Sequence, residues 1–452
     1  MTPTPTVVDQ IERGPTRSTS VRSVALASLI GTTIEWFDFY LYGTGAALVF
    51  SRLFFPTIEP RAGTLAAFAT YAVGFFARPI GGIVIGHFGD RVGRKAMLVL
   101  TLILMGTATF CIGLLPTYAQ WGPWAAVALV VLRLVQGFGV GGEWGGAVLM
   151  AIEHAPEGAR GFYGSWPQMG VPAGLILSTA AFAWVARLPE DQFLSWGWRV
   201  PFLASSVLIA VGVIVRFRVR ETPVFGRIKA TRSEARIPIV EVLRRHPREI
   251  LLAIGIRVAE NGGFYIYTVF VLVYLTQHVG LAQQDALGGV LIASAGLLVA
   301  LPVCGALSDR FGRRPIYLFG AAMGALFAFP FFWLLDTGSV ASAWFALTFV
   351  LIFSQAPMYG PQAAFLSELF GARVRYSGAS LGSQLSSVLA GGLSPFIATA
   401  LLPYGGAAIA AYIVGMAIVT IVAVLLTSET RHRAIASDER SERPERFERS
   451  LG

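Results

Sequence analysis

Long apolar runs separated by short polar stretches recur along the whole chain. Twelve can be placed, at 23–50, 62–86, 96–116, 121–151, 162–185, 198–217, 249–276, 286–306, 316–336, 341–366, 378–402 and 405–428. Each reaches about 20 residues, the length a helix needs to cross the hydrocarbon core of a bilayer. A backbone inside lipid must satisfy its own hydrogen bonds, so these runs predict helices. The fold class expected is an all-α membrane protein with about twelve transmembrane helices.

Composition agrees with the pattern: 55% of the residues are hydrophobic and 13% are charged, unlike a soluble domain of this length. The net charge of +9 raises the question of nucleic acid, and the distribution of charge answers it. With both termini placed inside, the outer loops hold Arg52, Arg61, Arg187 and Arg199, and helices hold Arg78, Arg133, Arg216 and Arg257. The other 27 of the 35 Lys and Arg fall in cytoplasmic segments. That is the positive-inside asymmetry, whereas a nucleic-acid binder gathers its basic residues on one face of a soluble module. The expected location is the cell inner membrane, multi-pass, with both termini cytoplasmic.

Residues 1–22 form a polar N-terminal tail, and the run after it is too long for a cleaved signal peptide. Cys111 and Cys304 fall in different runs, and none of the five His lies at depth, so neither a metal site nor a cofactor is expected. The tail 429–452 mixes six acidic and six basic residues without an apolar heptad.

An internal repeat divides the chain. GHFGDRVGRK (Gly86–Lys95) follows the second run, and GALSDRFGRR (Gly305–Arg314) follows the eighth, 219 residues on. Glu153 to Arg160 and Glu368 to Arg375 share a second spacing, 215 residues apart. Arg and Gly are common in any cytoplasmic loop, but two ordered pairs at nearly equal offsets indicate a duplicated unit. The expected organisation is a bundle over 23–217, a basic linker over 218–248 and a second bundle over 249–428. These are the two six-helix halves of a transporter with parallel repeats.

The paired D-R-x-G-R-[KR] loops resemble the signature of the major facilitator superfamily. EWFDFYLYG, FFARPIGG, GHFGDRVGRK, RLVQGFGVGGEWGGA and SWGWRVPF together resemble its metabolite:proton symporter branch, most nearly the shikimate permease group. Dicarboxylate, 2-oxoglutarate and betaine carriers share much of that pattern. The resemblance spans nearly the whole chain and implies proton-coupled uptake by alternating access. It also implies a bracing, gating role on the cytoplasmic side for Asp90, Arg91 and Arg94, and for Asp309, Arg310 and Arg313.

The stretch GTTIEWFDFYLYG (Gly31–Gly43) sets two carboxylates within an apolar run. At about 1.5 Å per residue from Val24, Glu35 and Asp38 lie roughly 17 and 21 Å into the first helix, near the bilayer midplane. Three apart, they share a face. Arg133 reaches a similar depth in the fourth helix, as do Arg257 and Glu260 in the seventh. Arg78 lies nearer the cytoplasm. Each such charge costs about 2.5–3.5 kcal/mol on insertion scales, so all six should face a wet cavity or one another.

Static ion pairs locking the helices together are the bland explanation, and for Arg78, followed by Pro79, it is the expectation. For Glu35, Asp38 and Arg133 function is expected. Three acids against three Arg are neutral, and protonating one acid leaves one positive charge in excess, the condition for accepting an anion. Arg suits a carboxylate because its fork donates two parallel hydrogen bonds. Arg133, Gln136, Arg257, Glu260, Gln168, Tyr265 and Gln384 are the substrate-binding candidates, with Gln355 and Tyr359 as further polar positions. GFGVGGEWGGA (Gly137–Ala147) reads as close helix packing and hinge, and Glu143 as structural.

The function expected is a proton-coupled symporter importing a small organic anion. A symporter of a zwitterionic osmolyte such as betaine or proline is the alternative, and a proton-driven exporter a weaker one, since GVPAG (Gly170–Gly174) poorly matches the exporter GPxxGG stretch. An enzyme lacks a catalytic constellation, and a channel does not account for the repeat. The partners expected are the substrate, protons and the lipid bilayer, without nucleic acid, for a protein acting as a monomer.

Overall fold

A computed structural model describes residues 21–92, 94–141, 148, 151–152, 155–156, 158–218, 244, 246–370 and 375–431. Among them twelve long helices follow one another: α1 (Val21–Gly45), α2 (Pro60–Val92), α3 (Arg94–Leu114), α4 (Pro123–Val140), α5 (Arg160–Val185), α6 (Arg199–Arg218), α7 (Pro247–Val279), α8 (Gln283–Phe311), α9 (Arg313–Asp336), α10 (Val340–Leu369), α11 (Arg375–Ser386) and α12 (Gly406–Leu425). α1 continues through a π turn over Ala46–Phe50 to Phe54, and α11 through another over Ser387–Gly392 into Leu393–Leu401. By length and hydropathy nine helices among the described residues qualify as bilayer spans, or ten if the bent pair Glu190–Gly197 and Arg199–Gly212 is one span.

The twelve expected runs each correspond to a helix, with two differences. The repeated motifs are not loops that follow their helices. α2 runs on to Val92 and α8 to Phe311, so Asp309 and Arg310 stand on the last turn of α8. One residue, Gly312, then separates α8 from α9; its φ of 104° is open to glycine at little cost, which permits so sharp a reversal. The fourth run was expected over 121–151; α4 is described to Val140, and residues 142–147, including Glu143, lie outside the described set.

Small residues set the helix spacing. A Cβ on Gly81 would lie 1.9 Å from the Phe138 carbonyl oxygen, and one on Gly137 1.9 Å from that of Gly74. Only hydrogen side chains let α2 and α4 cross that closely, as expected where no hydrophobic drive pulls helices together in lipid. The Gly137 and Gly141 part of the glycine-rich stretch therefore packs against α2.

α7 occupies the centre. Its apolar window is 94% buried, against 39–56% for the other qualifying helices, so it touches protein on nearly every side. It carries π turns over Ile266–Phe270 and Tyr274–Val279, and α10 carries one over Leu351–Gln355. Such widened turns offset side chains from the regular helical stripe and often mark functional positions.

Candidate functional site

The two halves enclose a central cavity of about 50 Å³. From the first half Glu35, Trp36 and Tyr40 reach it from α1, Arg78 from α2 and Gln168 from α5. From the second, Arg257, Glu260, Asn261 and Tyr265 come from α7, Tyr359 from α10, and Ser383 and Gln384 from α11. Two acids and two arginines therefore line one small space. It is narrower than the roughly 300–1,000 Å³ of an ordinary ligand pocket.

In the second half the charges are tied into a network. Arg257 Nε lies 3.4 Å from Glu260 Oε2, and its Nη1 donates to the Ser383 carbonyl at 3.1 Å and to the Ser383 hydroxyl. Glu260 also accepts from Gln355 Nε2 at 3.1 Å and from Gln362 Nε2 at 2.6 Å. Gln362 donates in turn to the Tyr317 hydroxyl at 3.2 Å, and Asn261 to Ser387 Oγ at 3.0 Å. The i, i+3 spacing of Arg257 and Glu260 places them together on α7. Asn261, Ser383 and Gln362 were not among the sequence candidates. Asn261, four residues after Arg257, had a readable spacing; Ser383 and Gln362 are joined to the site by tertiary packing alone.

In the first half the cavity arginine is Arg78, not Arg133. The Arg78 guanidinium carbon lies 4.2 Å from the Phe75 ring centre, 4.3 Å from that of Phe39 and 5.4 Å from that of Trp36. Its Nε and Nη2 have no hydrogen-bond partner. Pro79 follows it without breaking α2.

Arg133 and Gln136, by contrast, do not line the cavity. Arg133 is fully buried within the first half, its guanidinium carbon 4.1, 4.4 and 4.5 Å from the ring centres of Phe39, Tyr42 and Tyr71. Its Nη1 donates to Gln136 Oε1 at 3.1 Å, and Gln136 donates to Thr109 Oγ1 at 2.7 Å. A Cβ on Gly74 would stand 2.5 Å from Arg133 Nε, so α2 makes room for the side chain by lacking one. Depth along α4 was readable from the sequence, but rotation about its axis was not.

The two acids of α1 also part company. Glu35 faces the cavity. Asp38 is not in its lining but fully buried on the other flank of α1, where a Cβ on Gly106 of α3 would lie 3.4 Å from its Oδ2. Neither Asp38 carboxyl oxygen has a hydrogen-bond partner. A three-residue step turns a helix by about 300°, and here that separation leads to two different surroundings.

Contacts between the halves surround the cavity. Gln384 Nε2 donates to the Gly141 carbonyl at 3.0 Å. The Tyr265 ring meets Phe75 edge-on, centres 5.2 Å apart. At the motif end, Asp309 accepts from the backbone N–H groups of Gly161 at 2.7 Å and Phe162 at 2.8 Å. A carboxylate of the second half thus sits on the N-terminus of α5, where free N–H groups and the helix dipole favour it. Arg313 holds that carboxylate at 2.7 Å and Glu368 at 3.2 Å. Arg310 is exposed, 5.5 Å from the Phe311 ring, and its carbonyl accepts from Arg431 at 2.5 Å. The side chains of Asp90, Arg91 and Arg94 lie outside the described set.

Beyond α12, Glu429 completes this junction. It accepts from the backbone N–H of Arg313 at 2.9 Å and of Arg314 at 3.1 Å, at the start of α9. Burial pushes its carboxyl up, but four backbone N–H groups, from Arg313, Arg431, Arg314 and Thr430, outweigh burial and hold it below the usual glutamate value. Thr430 donates to Glu368 at 2.7 Å, linking this segment to the Arg313 cluster.

Comparison with known proteins matches residues 29–391 to the family described as Major Facilitator Superfamily. The shikimate transporter of Escherichia coli (strain K12) is 42% identical over 93% of this chain and 97% of its own. The inner membrane metabolite transport protein YhjE of the same strain is 43% identical over 96% of this chain and 100% of its own. Among solved structures, the partially occluded inward open conformation of the E. coli xylose transporter XylE superimposes with a TM-score of 0.71 at 18% identity, covering 92% of this chain and 100% of that one. At that identity it speaks for the fold alone.

Proposed function

The chain belongs to the major facilitator superfamily, and we propose that it is a proton-coupled symporter importing a small organic anion by alternating access. It is a multi-pass membrane transporter of metabolites and not an enzyme. In the proposed arrangement residues 23–217 and 249–428 are the two moving bundles and 218–248 the linker. The tails 1–22 and 429–452 lie on the cytoplasmic side of the inner membrane.

The observation that carries the proposal is the pairing of charges in the cavity. Arg257 is engaged by Glu260 and Ser383, whereas Arg78 keeps two nitrogens without a hydrogen-bond partner. Arg78 is therefore the proposed receiver of the substrate carboxylate, with Arg257, Gln168, Tyr265 and Gln384 shaping the rest of the site. With Glu35, Arg78, Arg257 and Glu260 all charged the cavity is neutral. A proton on Glu35 leaves one positive charge in excess, which an anion then balances. Asp38 is the second proposed proton carrier, because an ionised carboxylate buried without any partner is far costlier than a neutral one. Arg133 and Gln136 are proposed to hold the shape of the first half around that acid.

Reconstitution tests this reading directly. Proteoliposomes with an alkaline interior should accumulate one or more of shikimate, benzoate and succinate, and collapsing the pH gradient should stop it. Accumulation of glycine betaine or xylose alone, or uptake indifferent to the gradient, would overturn it.

A further inference from the structure

A second cavity lies at the end of the molecule away from the motif junctions, and it is far roomier, about 290 Å³ against about 50 Å³ at the centre. Both halves line it. The first supplies Leu48 and Arg52 from the extension of α1 and Glu190 from the segment before α6; the second supplies Gln277 from the end of α7 and Gln283 from the start of α8. Gln284 donates to the Ala186 carbonyl at 3.4 Å, bridging the halves at its edge.

The two cavities are stacked along the same two helices. From Tyr40 to Leu48 on α1 is about 12 Å at 1.5 Å per residue. Between them the helices touch, since a Cβ on Gly43 would lie 3.4 Å from the Val269 side chain. The second cavity therefore lies beyond the central one along α1 and α7, with this contact between them.

Arg52 and Glu190 form an ion pair at its mouth, with side chains 58% and 71% exposed. A pair so solvated is weakly held, and a competing carboxylate can replace one partner. Among the residues lining the cavity, Gln283 has a buried Nε2 without a hydrogen-bond partner in the protein.

We propose that this vestibule is a capture site for a small organic carboxylate, in which the substrate displaces Glu190 from Arg52 before the halves admit it to the centre. The proposal rests on the anion-import reading above. Arg52 raises the local concentration of anions, and Glu190 sets how readily they are exchanged.

The test measures initial uptake in proteoliposomes with radiolabelled shikimate, benzoate, succinate and glycine betaine as probes. It uses wild type, Arg52→Gln, Arg52→Lys and Glu190→Gln. For a transported carboxylate, Arg52→Gln should raise KM about threefold or more with Vmax unchanged, and Arg52→Lys should stay near wild type. Glu190→Gln should lower KM. Added salt should raise the wild-type KM and leave that of Arg52→Gln flat. If the pair were only a structural clasp, both neutral variants would break it and shift KM in the same direction, and that outcome overturns the capture site while the import reading stands. An unchanged KM in both variants overturns it equally. Transport of betaine alone defeats the import reading and the capture site together.

Discussion

Arg133 and Phe39 are packed cation against ring face, the guanidinium carbon 4.1 Å from the ring centre, and Arg78 lies 4.3 Å from the same ring. Phe39 therefore stands in contact with two arginines, one shut into the first half and one lining the cavity. A desolvated cation on an aromatic face is worth about 2 kcal/mol or more, so Phe39 helps to hold both charges inside the membrane.

The two arginines should consequently fail in different ways. Arg78→Ala should raise the substrate KM or Kd about tenfold or more, because a charge-assisted hydrogen bond is lost, with little change in thermal stability. Arg78→Lys should rescue poorly, since an ammonium cannot form the fork. Arg133→Gln should instead lower the melting temperature in detergent, with a smaller effect on the affinity of the protein that remains folded. Substrate binding and thermal unfolding measured on the same preparations separate the two. Equal losses of affinity in both variants would return Arg133 to the binding site.

The acids of α1 give a second expectation. Asp38→Asn removes no hydrogen bond, as neither carboxyl oxygen has a partner, so folding should be nearly unaffected. Uphill accumulation should nevertheless be abolished in Asp38→Asn or in Glu35→Gln, with substrate exchange persisting. Counterflow beside pH-driven uptake reads both quantities. Normal pH-driven accumulation in the two variants would remove the pair from coupling.

The contrast between these residues shows what the sequence could and could not reveal. Twelve apolar runs and the duplicated D-R-x-G-R-[KR] stretch carried the architecture, because span length and local turn chemistry are properties of neighbouring residues. Arg257 with Glu260 was legible for the same reason, being one turn apart on a single helix. Which way α4 turns Arg133 was not, since its box is built from Phe39, Tyr42 and Tyr71 on two other helices. The rings around Arg78 were equally out of reach, because Trp36, Phe39 and Phe75 converge on it only after α1 and α2 pack. Glu429 was one of six acids in a charge-mixed tail, and its seat on the first N–H groups of α9 exists only in the folded chain.

The motif junction yields a third prediction. Asp309 holds the N-terminus of α5 across the two halves, so Asp309→Asn should weaken that closure and slow transport several-fold while leaving substrate binding in place. Glu429→Gln should act in the same direction through Arg313 and α9. The sign of its pH dependence follows from its carboxyl, which is held below the usual glutamate value in the folded protein. Its stabilisation is present above the ordinary value of about 4.3 and is lost as pH falls through the lower folded value. The stability difference between wild type and Glu429→Gln should therefore be fully developed at neutral pH and vanish in acid. A difference that persisted undiminished into strong acid would show that the carboxylate charge is not what holds α9.

Charge bookkeeping across the membrane supplies the last prediction. A monoanion carried with one proton moves no net charge, so its accumulation should follow the pH gradient alone, at about 1.4 kcal/mol per unit. The membrane potential, worth about 2.3 kcal/mol per charge per 100 mV, should then add little. A zwitterion carried with one proton moves one positive charge and responds to both. The cavity is neutral when Glu35, Arg78, Arg257 and Glu260 are charged, which suits the first case: one proton and one negative charge enter and leave together. Proteoliposomes given a potassium diffusion potential at zero pH gradient distinguish the two. The one-proton monoanion scheme expects no accumulation above the equilibrium level under these conditions, and accumulation of about fiftyfold per 100 mV would require one net positive charge per cycle, hence a second proton or a zwitterionic substrate.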